Sequence, residues 1–110
     1  MMKIHVKSVH FHADAKLVAF IEKKLTRLAR YFDHGTIDAE VHLKLQDTGG
    51  PVREKITEII LKVPGNNLID KKSAYSFEEA ITASSETLKR QLVRYKEKIT
   101  DRKTSVREVE

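Results

Sequence analysis

The sequence contains no cysteine, which excludes a disulfide framework and any thiolate metal site. It also lacks an uninterrupted apolar run approaching the ~20 residues needed to span a bilayer, so no membrane partner is expected. Met1 to Phe11 carries polar residues throughout and does not read as a secretory leader, which leaves the cytoplasm as the expected location. Internal repeats and low-complexity tracts are missing too. What is present, 110 residues with 40% apolar content, suffices for one domain with one core.

Charge is plentiful: 34% of residues carry one, and the formal net charge is +5. Both signs are represented, so placement rather than total decides whether the chain attracts a polyanion.

Lys3 to Val9 alternates, with Ile4 and Val6 on one face and His5 and Lys7 on the other, the period of a half-buried strand. Asp14 is a plausible N-cap for a helix whose Leu17, Ile21, Leu25, Leu28 and Phe32 form an apolar stripe. Gly35 is expected to stop it. A second strand over Thr36 to Leu45 sets Ile37, Val41, Leu43 and Leu45 against Asp38, Glu40, His42 and Lys44. Gln46 to Pro51 reads as a loop, and Arg53 to Val63 as a third strand rich in Ile, Thr and Val.

Pro64-Gly65-Asn66-Asn67 turns the chain into a weaker fourth strand, roughly Leu68 to Ser73, whose alternation does not decide its buried face. Ser76 and Glu79 form a capping box ahead of a long helix with Phe77, Ile81, Ser84, Leu88, Leu92, Tyr95 and Ile99 on one face. The domain is expected over residues 1–100, with 101–110 a flexible charged tail. The order β-α-β-β-β-α predicts an α/β (α+β) two-layer sandwich. Its four-stranded mixed sheet should carry both helices on one face, with a right-handed crossover through the first.

On a helical wheel at 100° per residue, Lys16, Lys23, Arg27 and Arg30 fall within about 40° of one line, opposite the apolar stripe, and Lys24 flanks them. The second half of the long helix carries Lys89, Arg90, Arg94, Lys96, Lys98, Arg102 and Lys103 against Glu97 and Asp101, whereas its start carries Glu78, Glu79 and Glu86. Basic residues near helix C-termini also favour the macrodipole and solubility. That explanation does not reach the concentration of cations on both helices, which must be neighbours across the core. Long cationic side chains on rigid helices suit phosphates held in place by a folded RNA, with shape providing the specificity.

Tyr31-Phe32-Asp33 closing the first helix, together with Arg90-Gln91-Leu92-x-Arg94-x-Lys96-x-Lys98 closing the second, resembles the ribosome hibernation-promoting factor and ribosome-associated inhibitor family, also called sigma-modulation proteins. The order and spacing of these motifs and the strand-helix pattern agree over about residues 3 to 100. The resemblance implies a fold akin to the double-stranded-RNA-binding domain. It also implies docking on the small ribosomal subunit and its RNA near the decoding centre, across the paths of messenger and transfer RNA, so that translation stops in resting cells.

Carried over by residue, the resemblance implies RNA contacts at Lys24, Arg27, Arg90, Arg94, Lys96 and Lys98; the charge argument adds Lys23, Arg30 and Lys89. Thr87 stands where the family often has Lys. The chain is expected to be a short form without the second, dimerising domain of long family members, and a monomer when free. The residues by themselves leave open a general structured-RNA-binding module and a protein-interaction adaptor.

Other chemistry finds little footing. His10-x-His12 could place two imidazoles together, but no third ligand is identifiable, so no metal is expected. Asp33-His34 fits a helix terminus better than an acid–base pair. Gly49-Gly50 lacks the lysine and strand-loop-helix context of a phosphate-cradling loop. Tyr95 belongs to the apolar stripe, while Tyr75, just outside the cap, is the better candidate for stacking on a base. No nucleophile, base and orienting group stand out, so neither an enzyme nor a cofactor is expected, and DNA is not the expected nucleic acid.

Overall fold

The alternating and helical patterns resolve into seven elements in a computed structural model that describes residues 2–47, 49–50 and 54–109, with side chains described through residue 100. They are β1 (Lys3–Val9), α1 (Ala15–Thr26), a 3-10 helix (Arg27–Tyr31), β2 (Asp38–Gln46), β3 (Glu54–Val63), β4 (Asn66–Ala74) and α2 (Phe77–Val109). The strands lie in the order β1-β2-β3-β4. β1 is parallel to β2, and the other neighbours are antiparallel. A parallel pair needs a crossover, and α1 supplies it. The expected mixed sheet with two helices on one face is the fold observed.

Period-two alternation fixes which side of the sheet is covered. Cross-strand partners Ile4, Ala39, Leu61 and Leu68 form one inward row, and Val6, Val41 and Ile59 form the next. Against them lie Ile21, Leu25, Leu88 and Leu92, all fully buried in a single apolar cluster. Both helices begin with a side-chain cap: Asp14 Oδ1 accepts from the Leu17 amide at 2.8 Å, and Ser76 Oγ from the Glu79 amide at 3.1 Å. Each cap satisfies one of the amides that a helix start leaves without an internal partner.

Four boundaries differ from the sequence reading. The first helix does not run to Gly35. Its last turn tightens into the 3-10 segment, and Phe32 is already extended at φ −146°, its amide bonded to the Ala29 carbonyl. Extension lets the Phe32 ring lie 6.0 Å from that of Tyr95, in near-parallel stacking. Gly35 serves another purpose: at φ +124° it passes so close to Pro64 that a Cβ there would lie 2.8 Å from the proline Cγ. The second strand begins two residues later than expected, at Asp38.

The turn after β3 is tighter than expected, because Val63 pairs directly with Asn66 across Pro64-Gly65. β4 therefore starts at Asn66, and its open question of facing is answered: Leu68, Asp70 and Lys72 turn towards the helices. Charge is tolerated there because Lys72 Nζ bonds Asp70 Oδ1 at 2.8 Å, with the lysine side chain partly exposed at the sheet edge. Finally, the helical backbone does not end near Ile99 but continues through the segment expected as a tail, to Val109. No glycine or proline follows Gly65 to stop it. Arg53, at the expected start of the third strand, and Thr48 and Pro51 of the loop lie outside the described residues.

A strap holds α2 to the sheet's far turn: the Tyr95 hydroxyl donates to the Pro64 carbonyl at 2.7 Å. Leu92, one turn earlier, has no exposed surface. Leu92→Asp would bury an unpaired carboxylate, a penalty of several kcal/mol against a total stability on the order of 5–15 kcal/mol; loss of the cooperative thermal transition in circular dichroism is the expected result. Gly35→Ala meets both the Pro64 contact and a backbone angle that disfavours a side chain, and is expected to cost more than about 1 kcal/mol, seen as a melting temperature several degrees lower.

Candidate nucleic-acid interface

The two helices run in the same direction. Phe11, just before α1, stacks on Phe77 at the start of α2 with ring centroids 5.0 Å apart, and Phe32, just after the 3-10 segment, stacks on Tyr95 in the second half of α2. Both C-terminal halves therefore lie at one end of the layer. These are the halves that carry the cations.

Because Leu25 and Leu28 face the core, Lys23, Arg27 and Arg30 face out, and together with Ala19, Glu22 and Thr26 they line a shallow hollow of about 390 Å³. On α2 the buried Leu88 and Leu92 place Lys89, Arg90 and Arg94 around a second hollow of about 320 Å³, with Val93 and Glu97. Arg90, Arg94 and Lys98 are exposed and follow at four-residue spacing, a row about 12 Å long at 1.5 Å per residue. Lys89 and Lys96 fall on a second line of the same helix, nearer the 3-10 segment.

Three of the expected contacts are engaged within the protein. Lys24 does not join the hollow of Lys23, Arg27 and Arg30; its ammonium sits over the Phe20 ring, 5.6 Å from the centroid. Lys89 lies 4.9 Å from the centroid of the Tyr31 ring, a cation–π contact of modest strength at an exposed site. Lys96 Nζ approaches Asp33 Oδ1 at 3.3 Å. The hydrogen bond and charge of Lys96 hold the Asp33 carboxyl below the usual carboxylate range, with a smaller pull from His34. Thr87 meets the Arg90 guanidinium at 3.4 Å.

Asp33 and Tyr31 are the site residues that the reading of charge did not find. They were present in the Tyr31-Phe32-Asp33 motif, but nothing local shows that this triplet meets the second helix. His34, expected near helix-end carbonyls, instead points Nε2 at the same Asp33 oxygen, 3.4 Å away, with its ring edge towards Phe32. The acidic start of α2, with Glu78, lies at the opposite end, beside Phe11, His12, Lys16 and Phe77. Lys16, aligned on the wheel with Lys23 and Arg27, is thus separated from them in space.

The uncovered sheet face is electrically balanced by comparison. Glu40 lies 3.5 Å from Lys62 and 3.8 Å from Lys7, and Lys62 above all keeps its carboxyl below the usual range. Tyr75 is 82% exposed, whereas Tyr95 is tied into the core by its ring and hydroxyl. Among the described residues, no group of three or more His, Asp or Glu converges as metal ligands would, and no helix is long and apolar enough to cross a membrane.

The family model for sigma 54 modulation protein / S30EA ribosomal protein matches residues 4–100. A ribosome hibernation promotion factor of Deinococcus radiodurans is 36% identical over 77 residues, which is 70% of this chain and 40% of that protein; the match thus spans well under half the length of the relative. The N-terminal domain of Thermus thermophilus Protein Y superposes with a TM-score of 0.73 at 23% identity, covering 86% of this chain and 97% of that domain. A ribosomal subunit interface protein from Coxiella burnetii does so with a TM-score of 0.63 at 20% identity, covering 87% and 98%. These two likenesses concern the fold, while the family match covers most of the sequence, from β1 into the second half of α2: the chain belongs to the sigma 54 modulation protein / S30EA ribosomal protein family.

Proposed function

We propose that the chain is a ribosome-associated hibernation factor. It binds RNA of the small ribosomal subunit near the decoding centre and inhibits translation in resting cells by occupying the paths of messenger and transfer RNA. The observation that carries this reading is the convergence of exposed cations at one end of the helical layer, Lys23, Arg27 and Arg30 from α1 and the 3-10 segment that continues it, and Arg90, Arg94 and Lys98 from α2. The family, and the names of the relatives from Deinococcus and Coxiella, favour the ribosome as the source of that RNA.

Site occupancy asks only for shape and charge, so no catalytic group, metal or cofactor enters the mechanism. Both helices are packed into one core with the sheet, and the spacing of their cations therefore selects phosphates that a folded RNA holds at matching positions; loose or straight polyanions meet fewer of them at once. The protein acts in the cytoplasm, as a monomer when free. Lys24, Lys89 and Lys96 join the contact after leaving their internal partners.

Six phosphate contacts, one for each cation exposed in the free protein, give a log–log salt slope of about −4 to −5, which Lys24, Lys89 and Lys96 steepen as they join. Cosedimentation with small subunits should accordingly weaken on the order of a thousandfold between 50 and 200 mM salt. Arg90→Glu combined with Arg94→Glu should abolish binding at low salt while leaving the thermal transition in place, because both side chains are exposed. Failure of the unaltered protein to bind small subunits at 50 mM salt would sink the reading. Equal competition by generic duplex RNA would replace it with a general RNA-binding module.

A further inference from the structure

The cations of this interface are not equivalent. Arg90, Arg94 and Lys98 project into solvent, whereas Lys96, on the flank of α2 that meets the 3-10 segment, is held by a carboxylate that is itself 73% exposed and closely follows Arg27 and Arg30 in the chain. An exposed ion pair adds little to the stability of a fold. Nor is this one needed to place its segment, which the Phe32–Tyr95 stack and the Tyr95–Pro64 hydrogen bond already fix. The pair thus sits where structure does not require it and where an anionic ligand would arrive.

We propose that Asp33 is an internal competitor for the phosphate that Lys96 receives, and that it sets the discrimination of the interface against RNA of the wrong shape. The inference rests on the RNA-binding reading above. A phosphate reaching Lys96 must displace the Asp33 carboxylate, which stays close by because Phe32 is anchored. His34, on the same oxygen, is the group left to face Asp33 once Lys96 departs.

RNA that engages all the other cations can bring a phosphate near enough to make the exchange. RNA that engages only a few meets a lysine already neutralised and an adjacent negative charge. Asp33 therefore reduces weak, generic binding more than it reduces fitted binding.

The exchange has a thermodynamic signature. When Lys96 binds phosphate, the RNA releases a counterion, but the freed Asp33 stays beside the phosphates and repels them, a repulsion that salt screens, so the slope is shallower than the number of phosphates contacted would give. Asp33→Asn keeps the size of the side chain and removes the charge. Binding to a generic RNA duplex and to small subunits is measured for both proteins across salt concentrations, with Glu79→Gln, at the far end of α2, as the control for net charge.

The expected result is a salt slope steeper by about 0.7 to 0.9 in Asp33→Asn. Duplex binding at 50 mM salt should tighten up to about fivefold, the span of an exposed ion pair, with a smaller gain on small subunits and no change of slope in Glu79→Gln. Lys96→Gln should cost more in the Asp33→Asn background than in the original one. Unchanged slope in Asp33→Asn, or strictly additive effects of the two substitutions, would overturn the proposal even while the protein binds RNA. If the unaltered protein binds neither RNA, the functional reading itself is what fails.

Discussion

A sheet with only one apolar face must put both of its helices on that side, and this constraint organises everything else in the molecule. Ile4, Val6, Val41, Ile59 and Leu61 point one way, so Ile21 and Leu25 must share that surface with Leu88 and Leu92. The parallel pairing of β1 with β2 sends α1 across the sheet, and the hairpins of β2, β3 and β4 return the chain to start α2 beside the start of α1. Parallel helices follow from connectivity, and with them the adjacency of two cationic ends. The cationic end of the helical layer is a by-product of how the core closes.

Much of this was legible in the sequence because it depends on short-range periodicity. Alternation in β1 and β2 gave their faces, and the spacing of Leu17, Ile21 and Leu25 and of Ile81, Leu88 and Leu92 gave the stripes. Asp14 and Ser76 gave the helix starts, because a cap bonds an amide three residues away. β4 resisted because it places Asp70 and Lys72 on its inward side, and only their mutual ion pair makes that acceptable. The end of the first helix was misjudged for a long-range reason: Phe32 leaves the helical path to meet Tyr95, and Gly35 is required by Pro64.

The same division runs through the site. A helical wheel shows the angle at which a side chain leaves its helix, but not where a long chain ends. It therefore set Lys24 at the flank of Lys23, Arg27 and Arg30, although the Lys24 ammonium folds back over Phe20. Nor could it pair Lys96 with Asp33 or Lys89 with Tyr31, since each pair joins separate elements. Resemblance singled out the Tyr31-Phe32-Asp33 motif without saying what the triplet does. The structure gives it three tasks, one per residue: a ring beneath Lys89, a wedge against Tyr95, and a counter-charge to Lys96.

The uneven distribution of charge along α2, acidic at Glu78, Glu79 and Glu86 and basic from Lys89 onward, has a kinetic meaning. A molecule whose two ends differ in sign experiences a torque in the field of a polyanion before any contact is made. It turns as it approaches, so that collisions present the cationic end first. Productive encounters then form a larger share of all encounters, and the association rate rises without any gain in the lifetime of the complex.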